Sequence, residues 1–153
     1  MRIAGSGFAT DTLALHDRPN PLVLNAARVS LERACQKARI TPLQADFLEL
    51  YDSFSIYTAL SLEAAGFAAP GDGWKLSNSD CIGLRGSLPV NTLGGLKARG
   101  NPGGATGVYQ AVEAVLQLRG QAGKNQLTNP QRALIQSLGG PASSAVTHIL
   151  ETL

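Results

Sequence analysis

The sequence predicts an α/β fold, a mixed sheet of five strands, mostly parallel with an antiparallel edge, packed with helices. Three observations predict it. Strand-like and helix-like segments alternate along the chain, as parallel strands joined by crossovers require. The run Asp46-Phe47-Leu48-Glu49-Leu50-Tyr51 is short, mostly apolar and bounded by turn signals, which suits a strand buried on both faces. Two closing apolar segments are joined by Gly139-Gly140-Pro141-Ala142, a hairpin signal.

Residues 2–9 read as a first strand rich in small side chains. Asn20-Pro21 reads as a helix start, a capping side chain before a proline at the first helical position. From there Leu24, Ala27, Leu31, Ala34, Cys35 and Ala38 share one helical face, and Thr41-Pro42 ends the helix. After the Asp46–Tyr51 strand, Ile56, Ala59, Leu60 and Glu63-Ala64 are in helical register, with Gly66 as the stop. Residues 66–87 read as a long loop carrying the single tryptophan, Trp74; loops of that length are usually functional or interface elements. Leu88–Thr92 is a further strand. The glycine-rich stretch 94–107 then leads to a third helix with Val108, Ala111, Val112 and Val115 on one face. Arg132–Leu138 and Ser144–Leu150 close the sheet. No repeat, charge block or linker divides the chain, so residues 1–153 are expected to form one domain.

Composition narrows the function classes. Only 16% of the 153 residues are charged, against a soluble average of about 25%. A chain so poor in charge is expected to hide part of its surface against a partner, as an oligomer or a heteromer. The net charge of +2 comes with no basic cluster interleaved with aromatics, which argues against nucleic acid. No apolar run approaches the roughly 20 residues of a membrane span. The opening residues lack an apolar leader core and the closing residues lack a peroxisomal or prenylation signal, so the expected location is cytoplasmic. Cys35 and Cys81 form neither a disulfide framework nor a metal motif, and neither His16 nor His148 has ligand spacing; no metal is expected. His148 is expected to point outward from its strand, Cys35 to be inert core, and Tyr109 to pack in the core.

The most informative stretch runs from Asn91 to Gly107. A strand end, a tight turn and a helix amino terminus there would aim backbone N–H groups and a helix dipole at a ligand with negative charge. It lacks the Gly-Lys-Ser/Thr of a phosphate loop and the glycine spacing of a dinucleotide site. On local pattern alone, a plain glycine-rich connection stays open.

The string Leu88-Pro89-Val90-Asn91-Thr92-x-Gly94-Gly95-Leu96-Lys97-Ala98-Arg99-Gly100-x-Pro102-x-Gly104-Ala105-Thr106-Gly107 resembles the glycine–histidine–proline loop of sterol-carrier-protein-type (lipid-transfer) thiolases. Leu50-Tyr51-Asp52-Ser53-Phe54-Ser55 is similar to that family's histidine–aspartate–cysteine/alanine–phenylalanine box, and Ile3-x-Gly5-Ser6-Gly7 and Ser137-Leu138-Gly139-Gly140 follow in order. The likeness spans nearly the whole chain and matches the carboxyl-terminal half of the thiolase superfamily, acetyl-CoA acetyltransferases included. The start at Met1, just before the Gly-Ser-Gly strand, coincides with the boundary the resemblance implies between the two halves, as a split gene, a fragment or a misassigned start would give.

The resemblance implies a thiolase-fold half acting on a coenzyme A thioester, with no resident cofactor. Thiolases use a cysteine thiolate from the amino-terminal half as nucleophile, a second group to move the α-proton, and donors to stabilise the enolate. That nucleophile is absent here, so the chain alone is expected to be inactive and to need an amino-terminal half or another subunit. A small OB-fold acyl-CoA-binding protein is a further candidate partner. By position, the resemblance assigns catalytic roles to Tyr51, Asn101 and Ser53, and substrate contact to Gly100, Gly103, Gly104, Gly139 and Gly140. Tyr51 and Asn101 stand at the family's two histidines, and Ser53 and Ser137 at positions where different thiolases keep an acid/base cysteine. None of the four titrates as a base near neutrality, although Tyr51 and Asn101 can donate hydrogen bonds. The expected chemistry is therefore acyltransfer, or retro-aldol or Claisen-like cleavage, with a partner; the alternative is a non-catalytic acyl-CoA-binding or assembly module. Plainer roles stay open: a strand end for Tyr51, a turn for Asn101, a helix cap for Ser53.

Overall fold

The computed structural model describes residues 1–153, except for the side chain of Ser79. Strand β1 (Arg2–Thr10) leads to helix α1 (Asn25–Ala38), strand β2 (Phe47–Leu50) and helix α2 (Ser55–Ala64). Short helices α3 (Ser79–Ile82) and α4 (Gly95–Arg99) precede the long helix α5 (Thr106–Leu118), and strands β3 (Arg132–Gly139) and β4 (Ser144–Glu151) close the chain. The strands lie in the order β1-β4-β3-β2. β4 runs antiparallel to both β1 and β3, and β2 runs parallel to β3, with Phe47 opposite Ala133 and Leu50 opposite Gln136.

The sheet therefore has four strands with two antiparallel pairings and one parallel, not five mostly parallel strands. The segment expected as a fifth strand, Leu88–Thr92, makes one parallel bridge, Leu48 with Val90. It is held by Leu48 N–H to Pro89 O at 2.9 Å and Asn91 N–H to Leu48 O at 2.8 Å. Pro89 has no N–H to extend the ladder, and Asn91 turns away at φ 53°.

Both faces of the sheet are covered, one of them only in part. On one side Leu31, Ala34, Leu48, Leu50, Leu62, Leu134 and Ile149 form a core under α1 and α2. α1 lies directly on β1 because Gly5 and Gly7 carry no side chain; a Cβ on either would collide with the carbonyl oxygen of Ala34 or Ser30. The expected face of α1 is the buried one, but the helix begins at Asn25, not at Asn20-Pro21. Asn20 Oδ1 accepts instead from Leu22 N–H at 2.9 Å, closing a turn ahead of the helix. On the other side Phe47, Ala114, Leu118, Ala133, Ile135 and Leu150 pack beneath α5. Each fully buried leucine, isoleucine or phenylalanine here contributes about 1.5–3 kcal/mol.

Two further expectations change. The 66–87 stretch is not plain loop: it holds a 3₁₀ turn at Gly73–Leu76 and then α3, capped by Asn78 Oδ1 accepting from Cys81 N–H at 2.9 Å. More consequential is α5. Of its expected face, Val108 is 65% and Val112 50% exposed, while Ala111 and Val115 are partly buried against the core, and Gln110, Glu113 and Gln117 are buried. Their amides donate to backbone, Gln110 Nε2 to Gln136 O at 3.1 Å and Gln117 Nε2 to Asn125 O at 2.8 Å, while Gln117 Oε1 accepts from Leu127 N–H and the buried Gln110 Oε1 has no partner among the described residues.

Candidate active site

The end of β2 and the glycine loop are fastened together at three points. Asn91 Oδ1 accepts from Leu50 N–H at 2.7 Å. Glu49 Oε1 accepts from Thr92 N–H at 3.1 Å and from Thr92 Oγ1 at 2.8 Å. Asp52, buried between them, accepts from Leu96 N–H at 2.9 Å through Oδ1. Its other oxygen lies where a Cβ on Gly95 would be, and Gly95 sits at φ 61°, so only glycine fits there without displacing the carboxylate. The Tyr51 segment and the loop leading to Asn101 thus share one rigid frame.

Tyr51 follows β2 directly and is half-buried, its ring 5.9 Å from that of Tyr57. Its hydroxyl makes no side-chain hydrogen bond among the described residues, so the donor is free. Asn101 is exposed and works as a turn: its Oδ1 accepts from Gly103 N–H at 2.9 Å, leaving its amide NH₂ to donate elsewhere. Ser53 is half-buried beside α2 but does not cap it; that helix has no side-chain cap bond. Gly100, Gly103 and Gly104 border open space in the loop, while Gly139 and Gly140 form the β3–β4 hairpin with Ser143 N–H bonded to Gly139 O at 3.0 Å.

A cleft of about 440 Å³ opens where α5 stops short of β4. Gly104, Gly107 and Val108 line it from the helix side, and Ser137, Val146 and His148 from the sheet. Gly104 and Ser137 thus share this cleft, but Tyr51, Asn101 and Ser53 do not line it. His148 is not outward in the expected sense: it is half-buried, pairs with Ser6 Oγ through Nδ1 at 2.7 Å, and burial lowers its pKa. Val108 and Val146 of this cleft are exposed, as are Phe8, paired with Val146 across β1 and β4, and Val112 one turn along α5.

Sequence reasoning missed the groups that hold the frame. Glu49 interrupts an otherwise apolar strand, and Asp52 sits inside the matched box; both were visible signals. Glu49 is fully buried, and burial, its largest cause, pushes its carboxyl up to about 8; the Thr92 donors oppose that and Glu113 adds to it. Glu113 Oε1 lies 3.1 Å from Arg99 Nε, and the Arg99 guanidinium stacks 5.4 Å from the centre of Tyr109. Tyr109 is thus an exposed platform for Arg99 and not core. Cys35 is buried and its thiol is raised to about 11 by desolvation. Among the described residues no cluster of His, Cys, Asp and Glu could hold a metal, and no helix is long and apolar enough to cross a membrane.

Residues 7–152 match the family described as Thiolase C-terminal domain-like. An acetyl-CoA acetyltransferase of Methanothermobacter thermautotrophicus is 40% identical over 147 residues, which is 96% of this chain and 38% of that protein. Sterol carrier protein 2 of Rattus norvegicus is 38% identical over 150 residues, 96% of this chain and 27% of its own length. Among solved structures, one titled Ltp2-ChsH2(DUF35) aldolase superposes with a TM-score of 0.82 at 21% identity, over 95% of this chain and 38% of that one. The chain spans well under half the length of these relatives.

Proposed function

Because the chain belongs to the thiolase C-terminal domain-like family, we propose that it is the enolate-stabilising part of an acyl-CoA enzyme that makes or breaks carbon–carbon bonds beside a thioester. The observation that carries this reading is the three-point fastening of the Tyr51 segment to the glycine loop. It holds a free phenolic donor in fixed relation to the glycine loop, where the Gly100 and Gly103 N–H groups are taken by Leu96 O and Asn101 Oδ1 and the Asn101 amide NH₂ is left to donate, as a preorganised oxyanion site requires. A coenzyme A thioester would sit with its carbonyl oxygen facing Tyr51 and the Asn101 amide, against Gly100, Gly103 and Gly104.

Tyr51 and Asn101 can polarise that carbonyl but cannot take a proton at neutral pH, and Ser53 and Ser137 do so only with an adjacent base. The nucleophile or base therefore comes from outside residues 1–153, from a partner subunit or from further chain. For acyltransfer that is a cysteine thiolate; for retro-aldol cleavage it is a base that removes the β-hydroxyl proton, after which the carbon–carbon bond breaks and the thioester enolate is protonated. The exposed apolar side chains Phe8, Val146, Val108 and Val112 mark the surface that would receive the partner. The two-component title of the aldolase structure supports a partner, as the low charge content does.

A second reading, a non-catalytic acyl-CoA-binding module, is favoured by one observation: the Gly100 and Gly103 N–H donors of the loop are already bonded within it. Native pull-down of the tagged chain from its host, followed by mass spectrometry, separates the two. Recovery of a chain bearing a cysteine nucleophile supports the enzyme part; recovery of a complete thiolase, or of nothing, supports the module.

A further inference from the structure

We infer that Glu49 and Glu113 hold a single proton between them, and that this proton keeps both ends of the glycine loop seated on the sheet. Glu49 lies on β2 beside Ile135 of β3; Gln110 of α5 donates to its backbone carbonyl, and Glu113, one turn further along α5, is within hydrogen-bonding reach of its carboxyl, while Thr92 caps it from the loop and Arg99 of α4 pairs with Glu113. Two carboxyl groups and one guanidinium therefore share a space closed to water. With both acids ionised the cluster carries one uncompensated negative charge; with one proton it is neutral, and an unpaired buried charge is costly.

The atoms also say where the proton sits. Glu49 Oε1 is filled by two donors from Thr92. Glu113 Oε1 faces Arg99. Glu49 Oε2 and Glu113 Oε2 are both buried and have no other hydrogen-bond partner. A hydroxyl on Glu49 Oε2 donating to Glu113 Oε2 satisfies both at once. The elevated Glu49 pKa is in keeping with this, Glu113 acting on it both by charge and by direct hydrogen bonding.

The cluster reaches the loop at two places. Thr92, at its start, hangs on Glu49, and its carbonyl is held by Asn125 Nδ2 at 3.1 Å. Arg99, two residues before Asn101, hangs on Glu113 and the Tyr109 ring. Glu49 and Glu113 are thus positioning residues, acting through Thr92 and Arg99. Loss of the proton leaves two like charges facing each other beneath the loop and loosens both anchors.

The test is a pH titration of the full chain by NMR, with glutamate side-chain carboxyl carbons labelled. One glutamate is expected to titrate roughly 2 pH units or more above the others, and the Thr92 amide proton is expected to move with the same midpoint. The high signal disappears in Glu49→Gln, whose amide keeps both hydrogen bonds. In Glu113→Gln the Glu49 midpoint falls toward the ordinary range, because Arg99 is left without its anion. If every glutamate of the wild-type chain titrates in the ordinary range, or Thr92 does not follow the high midpoint, the shared proton is refuted. Neither result depends on which reaction the chain serves, so the acyltransfer reading stands or falls separately.

Discussion

Replacing Gly95 by alanine tests whether the loop is fastened as described. At φ 61° an L-residue costs about 1–2 kcal/mol of backbone strain. The new Cβ also displaces the Asp52 carboxylate, whose bond to Leu96 N–H is charge-assisted and contributes about 1.5–3 kcal/mol. The single substitution should then cost about 3–5 kcal/mol, and Asp52→Ala alone about 2 kcal/mol. The two are not independent, because Asp52→Ala removes the obstacle that Gly95→Ala meets. In the double variant the alanine at 95 should cost little more than its strain, with some residual conflict from Asn91 Nδ2, which lies 2.7 Å from the Cβ position. Urea denaturation of the four proteins should give a coupling of about 1–2 kcal/mol in the favourable direction. In thermal melts each kcal/mol corresponds to roughly 2–4 °C at this size. Additivity within about 0.5 kcal/mol would refute the claim that Asp52 and Gly95 occupy one fitted position.

Other consequences follow from the same structure. Gly7→Ala should destabilise the chain by about 3 kcal/mol or more, measured by denaturation, because its Cβ wedges α1 off β1 at Ser30 O. Glu49 binds its proton more tightly folded than unfolded, so the stability it contributes is fully present below about 4.5 and is lost as pH rises toward about 8. Denaturation midpoints should therefore fall across that window in the wild type and stay flatter in Glu49→Gln. Val112→Asp and Phe8→Asp, both at exposed positions, should leave the melting temperature within a few degrees while abolishing capture of the partner in pull-down. Cys81, partly exposed, should react with a thiol reagent in the native chain at neutral pH, and Cys35 should react only on unfolding.

Much of the fold was legible because its elements answer to their own residues. β2 reads as buried on both faces and is, and the Gly139–Ala142 hairpin and the buried stripe of α1 stand where the pattern puts them. α5 matches its pattern only in part, since Ala111 and Val115 meet the core but Val108 and Val112 do not. A valine stripe at helical spacing looks the same whether the chain's own core or another surface covers it, and glutamines look solvent-facing until their amides are found bonded to backbone carbonyls. The fifth strand failed for a local reason, since Pro89 and the positive φ of Asn91 leave Val90 a single bridge. At the candidate site, Tyr51 and the glycine loop could be named by resemblance. Glu49, Asp52 and Asn91, which tie them together, act across more than forty residues of sequence and show no local spacing.

The central claim is that Tyr51 donates to a thioester oxygen as negative charge develops on it. The direct measurement is steady-state kinetics of the co-purified complex with acetoacetyl-CoA and a β-hydroxyacyl-CoA, comparing wild type with Tyr51→Phe. Loss of one oxyanion donor predicts a fall in kcat of about 10²–10³-fold with KM little changed. An unchanged kcat in Tyr51→Phe, in a complex that turns over either substrate, would contradict the account.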